Sequence, residues 1–255
     1  MSVSRGGERH IREGRPIELP RVHDRYNDAS AGFKIVSSDN VAFHVGRCYV
    51  EAGSRVFKDM LGAGEHLAAN PEISLTDEEL ETADILTVLI DLWYGHPFPI
   101  PTYDNVFLLQ RTLPLMRKYD CPAALYTVHR AIKSYLLEGA GPLGCFVLLA
   151  DLEDVQGCAM AIQRAGGWQW SAGESLVDGC KKGATTTSLQ DHVPGASAFD
   201  VTGWSKALFM AVQPVYSIAL LRAAREVSGS LIGKTDWALV ANTFTRLMEP
   251  PTSKT

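Results

Sequence analysis

Several residue patterns in this 255-residue chain could do chemistry, and each demands a particular structural setting. Gly139-Ala140-Gly141-Pro142-Leu143-Gly144 spells G-x-G-x-x-G. That pattern cradles a pyrophosphate only when a strand precedes its first glycine and a helix opens behind it. The segment before Gly139 has helical periodicity to about Leu137, so the glycines read as a linker between helices. Gly203-Trp204-Ser205-Lys206-Ala207 has part of the spacing of a nucleophile elbow. The base histidine of that mechanism follows the serine in chain order, yet His192 is the last histidine in this sequence. Ser205 therefore reads as the start of a helix. The seven histidines (His10, His23, His44, His66, His96, His129 and His192) include no i, i+4 pair and no H-E-x-x-H, the spacings that zinc sites use. The acidic pairs Glu78-Glu79 and Asp151/Asp154 fall at expected helix starts, where carboxylates complement the macrodipole. No catalytic, cofactor or metal site is expected. One alternative retains chemistry: a small helical enzyme with its site under a long loop at 181–203, Asp191 or His192 serving as acid–base. It requires a deep apolar pocket with a perturbed titratable group beside that loop.

Composition narrows the classes further. Hydrophobic residues make up 46% and charged residues 21%, which is globular composition. The formal charge is −5. Residues 1–25 hold six arginines against four acidic residues, leaving 18 basic and 25 acidic side chains in the rest. No basic excess points to nucleic acid or to an anionic membrane. Cys48, Cys121, Cys145, Cys158 and Cys180 lie far apart and form no C-x-x-C pair, as expected of reduced thiols in an intracellular protein. The longest uncharged stretch, Ala207 to Leu221, is short and contains Gln213 and Pro214, so it reads as buried helix and not as a membrane span.

The elements that would position any site follow from periodicity. Residues 1–30 are polar and aperiodic and read as an extended or disordered tail. Phe33 and Ile35, then Val41, Phe43 and Val45, alternate with residues of the other face, and Ser38-Asp39-Asn40 between them are turn formers. A hairpin is predicted. Helical spacing runs from Arg47 to Leu61 with a break at Gly53-Ser54, where Ser54 caps a second helix that turns Phe57 and Met60, or Leu61, to the core. Ile73-Ser74-Leu75 reads as a third strand. Thr76 and Glu79 read as a capping box opening a buried helix to about Tyr94, stopped by Gly95 and Pro97. Further helices start at Thr102, with a kink or break at Pro114, and at Pro122. Leu143–Ala150 and Val155–Arg164 form a helix pair. A long helix from about Trp204 to Val227, bent near Pro214, and a last one striped by Trp237, Val240, Phe244 and Leu247 complete the chain. The fold class is α+β, mostly α. It comprises a small sheet flanked by helices (31–140) and an all-helical extension (141–250) with the loop at 181–203.

Within this layout, Phe43, Val45, Arg47, Val50, Ser54, Phe57 and Met60 fall on the pattern F-x-V-H-[KR]-x-x-L-x-x-x-S-x-x-F-x-x-M. Ser37-Ser38-Asp39-Asn40 matches an S-S-D-G turn, Leu92-Trp93-Tyr94-Gly95 an L-x-Y-P/G segment, and Lys118-Tyr119-Asp120-Cys121 a K-Y-D-M segment. By these residues the stretch Gly32–Ala140 resembles a BTB/POZ domain, particularly those abundant in mushroom-forming fungi. Residues 141–250 are similar, more loosely, to the helical segment that follows it in such proteins. Two positions depart from the pattern: Gly32 stands where the family opens its first strand with an acidic residue, and Gly46 stands at the V-H-[KR] histidine.

The resemblance implies a non-enzymatic protein-interaction adaptor that either self-associates or docks to a cullin scaffold of a ubiquitin ligase. Cullin-binding members carry a hydrophobic-x-Glu motif after the Met; Ala63-Gly64-Glu65 is the nearest version here, which makes Leu61, Glu65 and His66 the candidate partner-binding residues. Swapped dimers in the family use a helix before the first strand, which residues 1–30, with Pro16 and Pro20, do not supply. The implied partners are proteins, not nucleic acid or membrane.

Overall fold

The computed structural model describes residues 19–63, 71–166, 168–170, 192–193, 196–227 and 235–249. It is mostly helical with one small sheet. The predicted hairpin forms from β2 (Gly32–Val36) and β3 (Val41–Gly46), antiparallel with Phe33 opposite Val45 and Ile35 opposite Phe43. Asn40 takes the left-handed conformation at φ 61°, which its short polar side chain tolerates. The Val41 amide donates to Ser37 Oγ at 2.9 Å. Two more strands widen the sheet, in the order β1-β3-β2-β4. β4 (Glu72–Ser74) runs parallel to β2, and β1 (Arg21–Val22) parallel to β3. Residues from Arg21 onward are therefore part of the fold and not of a tail. The Tyr26 ring is buried beside Phe43 and Tyr94, and its hydroxyl donates to Asp91.

The helical break at Gly53-Ser54 separates α1 (Arg47–Gly53) from α2 (Arg55–Ala63). Gly53 is required by proximity: a Cβ there would sit 2.2 Å from Trp93 Cδ1. Phe43, Val45, Val50 and Phe57 are fully buried, as their spacing predicts. Met60 is corrected. It is 47% exposed while Leu61 fills the core position, so the helical stripe runs one residue later than the Met pattern.

The helix after β4 also differs. α3 spans Ala83–Trp93, and the expected capping box does not form. The Ala83 amide donates to Asp39 Oδ1 at 2.8 Å, so the hairpin turn caps this helix from across the sheet. Glu81, not Glu79, gathers the amides of Thr76 and Asp77, each at 2.8 Å. Gly95 ends the helix at φ 78°. α4 (Val106–Lys118) runs without a break through Pro114, with Leu113, Leu115 and Met116 buried around it. Their packing outweighs the one hydrogen bond the proline withholds. α5 (Pro122–Leu137) starts at its proline.

The extension is built on α6 (Pro142–Asp151), of which every residue from Pro142 to Ala150 is buried. α7 (Val155–Gln163) packs on it, with Asp154 capping the Gly157 amide at 2.8 Å. The expected long helix is two: α8 (Lys206–Ala211) and α9 (Pro214–Val227). Val212 is extended between them, and Pro214 disfavours helical geometry for the residue before it. α10 (Trp237–Met248) closes the bundle with Val240, Ala241 and Phe244 inward. Among the described residues no helix is long and apolar enough to cross a membrane.

Candidate functional site

Of the three predicted partner residues only Leu61 lies among the described residues. Leu61 is 3% exposed and belongs to the core, which withdraws it from any partner. Glu65 and His66, like Asp191 and Cys180, lie outside the described residues. The two positions that depart from the family pattern have structural explanations. Gly46 donates its amide to Tyr94 Oη at 2.9 Å, and Tyr49 stacks on Tyr94 with ring centroids 4.1 Å apart. A Cβ at Gly46 would fall 3.0 Å from the Tyr49 ring, so the tyrosine pair occupies the space a histidine side chain would need. Gly32 sits at φ 86°, a conformation that an acidic residue rarely adopts.

Lys118-Tyr119-Asp120-Cys121 is the centre of a knot that is buried at Glu81 and Tyr119 and open to solvent at Lys118. Glu81 is 3% exposed and accepts from the Tyr119 hydroxyl, while Lys118 Nζ bridges it to Asp77 at 2.8 Å each. Burial alone would raise the Glu81 carboxyl. The Lys118 and Tyr119 hydrogen bonds outweigh it and hold the group below its ordinary value. Ser54 Oγ donates to the Tyr119 carbonyl at 2.5 Å and accepts from the Phe57 amide at 3.1 Å, so the predicted cap of α2 also ties that helix to α4. Asp120, at φ 46°, accepts from the Arg55 amide through its carbonyl. These residues position one another.

The catalytic motifs dissolve into turns and caps. Gly139 ends α5 at φ 87°, Gly141 precedes α6, and a Cβ at Gly144 would lie 2.9 Å from the Pro101 carbonyl oxygen. Ser205 is buried and caps α8 through Leu208. Asp154 is held at a pKa of about 2: burial pushes it up, but hydrogen bonds from Lys133 and His129 prevail. Asp151 closes α6 instead of opening a helix, and burial raises its carboxyl. Burial likewise pushes the Cys145 thiol up to about 12, the state of an inert core cysteine. Among the described residues no group of His, Cys, Asp and Glu could hold a metal.

One cavity stands out, beside the C-terminal end of the 181–203 segment. It encloses about 220 Å³ where the start of α4 meets the start of α6. Its walls include Tyr103, Val106, Leu143, Val147, Trp168 and Trp170. The wall strands are fixed by backbone: Trp170 donates to Ala196 at 3.0 Å, and Ala198 donates to the Trp168 carbonyl at 2.9 Å. Behind Trp170 lies His192, stacked on the indole with centroids 3.5 Å apart at 7°. His192 is 4% exposed. Its Nδ1 accepts from the Ser205 amide at 3.0 Å, which puts the ring proton on Nε2 and directs it to the Tyr103 hydroxyl. Both nitrogens are thus engaged in holding the segment to α4 and α8. The Trp170 Nε1–H is buried with no acceptor among the described residues. Sequence patterns did not single out the tryptophans. The usable signal was Trp168-Gln169-Trp170 itself, two of the five tryptophans spaced two apart, which extended backbone places on one face.

A second feature is an apolar face on α8 and α9. Phe209, Met210, Val215, Ile218 and Leu221 are each at least 40% exposed, with Met210 at 73%. Tyr216, Ala219, Leu220 and Ala223 take the buried side of α9, so Val215, Ile218 and Leu221 share its outer face. Exposed Arg222 and Arg225 lie on that same face one turn beyond Ile218 and Leu221, and exposed Lys206 opens α8. Comparison with protein-family models, with curated proteins and with solved structures finds no match to this chain.

Proposed function

We propose that this chain is a non-enzymatic protein-interaction adaptor, a BTB/POZ-like unit carrying a helical extension. The reading is supported by the order of hairpin, paired helices, third strand and helix at the spacings of the resemblance, and by the Lys118-Tyr119 knot in the place of its K-Y-D segment. The observation that carries it is the apolar stripe on α8 and α9. Five large exposed side chains on these two helices cost free energy in water unless something covers them. Lys206, Arg222 and Arg225 among them favour a partner surface that carries acidic residues beside apolar ones. Light scattering of the purified chain, alone and with a cullin N-terminal domain, tests this. A dimer that reverts to monomer in Ile218→Asp supports self-association through the stripe, and a mixed complex supports scaffold docking. A 27.8 kDa monomer that ignores the cullin at micromolar concentration overturns both.

The cavity beside His192 favours a second reading, the small helical enzyme. Against it stands the engagement of both His192 nitrogens, which leaves the ring no lone pair or proton for a substrate. The cavity is better suited to holding a molecule than to transforming one.

A further inference from the structure

The walls of that cavity restrict what could enter it. Among the described residues no charged side chain lines it, and its polar side chains are Thr102, Tyr103 and Gln169 beside the two tryptophans. A charged ligand would lose its hydration with no counter-charge to replace it. The side chains around the space are mostly aromatic and branched aliphatic: Tyr103, Trp168 and Trp170 with Val106, Leu143 and Val147. Ring systems pack on such walls in stacked and edge-on arrangements. The size sets the next limit. An apolar cavity of about 150 Å³ already takes benzene, and drug-sized ligands occupy pockets of roughly 300 Å³ and more. At about 220 Å³ the space fits one or two fused rings.

The site is also held in shape before any ligand arrives. Trp170 is fixed on its far face by the His192 ring, and His192 is fixed by the Ser205 amide. Tyr103 is fixed through its hydroxyl by His192. Gly144 allows α6 to approach Pro101 closely enough to form the floor. Trp168 alone among the aromatic walls is half exposed, which marks the side by which the space communicates with the surface. Pre-organised walls spare a ligand the entropy of ordering them.

We infer that this cavity binds a small uncharged aromatic molecule of one or two rings, inserted between the Trp168–Trp170 wall and α6. The inference is independent of the adaptor reading, since the cavity and the α8–α9 stripe share no exposed residue. Naphthol is the probe and naphthoate its charged counterpart, each titrated calorimetrically into the full chain. Naphthol is expected to bind with a dissociation constant on the order of 0.1 mM, and naphthoate at least tenfold more weakly. Ala198→Phe, which fills the space from a wall position, should abolish naphthol binding. Trp168→Ala, on the half-exposed wall and so tolerable to the fold, should weaken it at least tenfold. No heat with either probe at millimolar concentration overturns the inference. So does equal binding of naphthol and naphthoate, or naphthol binding untouched in Trp168→Ala.

Discussion

The sheet-bearing unit and the helical extension treat buried polarity in opposite ways. In the first, Glu81, Lys118, Tyr119 and Ser54 form a network that crosses from the loop before α3 to the ends of α2 and α4. In the second, α6 is apolar on every side, and Asp154 and Ser205 work from element ends, as caps that also bind Lys133, His129 and His192. A polar knot fixes positions, because each group is satisfied in one arrangement only. An apolar core provides stability with less specification, since hydrophobic burial is not directional. The difference matches where unused surface lies. Exposed large apolar residues are scattered over the first unit, whereas five of those in the second fall on α8 and α9.

The most severe way to break this contrast is to remove the carboxylate at its centre. Glu81→Ala leaves the Tyr119 hydroxyl and the amides of Thr76 and Asp77 without their shared acceptor in a buried site. Breaking a buried charge network from one side costs about 3–5 kcal/mol. For a chain of this length that is a fall of about 10 °C in Tm. Urea unfolding followed by circular dichroism measures it. A loss under about 1 kcal/mol would mean the knot is ornamental to stability.

Acid sharpens the comparison, because each unit has a partly or fully buried carboxylate held below its ordinary value. Glu81 and Asp154 both titrate below their ordinary values in the folded chain. Each therefore adds stability that is complete above the ordinary carboxylate range and is lost as pH falls toward the folded value. For Asp154 the window runs from 3.8 down to about 2. Its side chain is 13% exposed, so the contribution is on the order of 2 kcal/mol. Asp154→Asn keeps a competent cap for α7 and removes only the charge. Its Tm should be lower than that of the parent at neutral pH and converge with it near pH 2. Parallel curves at every pH would show that Asp154 acts as a cap and not as a charge.

Which of these features could be read from residues alone depended on range. The hairpin, the break at Gly53-Ser54, the stop at Gly95 and the proline start of α5 rest on neighbours within a few positions, and all formed where local chemistry placed them. The cap of α3 did not, because Asp39 reaches Ala83 across 44 residues and local pattern offered only Thr76 and Glu79. Met60 and Leu61 are adjacent apolar residues on a helix, and periodicity cannot choose between them until the sheet is in place. The cavity was the least legible feature. Tyr103 and His192 meet over 89 residues, and neither carries a motif. His192 could be picked out as a residue of interest in the 181–203 segment, but its partners, and hence its structural role, came only with the fold.

The smallest expected effect is the most informative about what the extension does. Ile218→Asp replaces an exposed side chain on the outer face of α9, with Tyr216, Ala219 and Leu220 untouched beneath it. Surface changes away from caps and buried networks fall within about 0.5 kcal/mol, so the monomer's urea midpoint should hardly move. Arg222 lies one turn further along the same face, and an aspartate at 218 precedes it at the i, i+4 spacing that favours a helix by about 0.3 kcal/mol. The variant should thus be as stable as its parent while losing whatever association the stripe supports. A drop above about 2 kcal/mol would place Ile218 inside an interface that contributes to folding, as in obligate dimers. In that case the apolar face of α8 and α9 would be part of a shared core, and the contrast between a specified unit and a loosely finished one would end there.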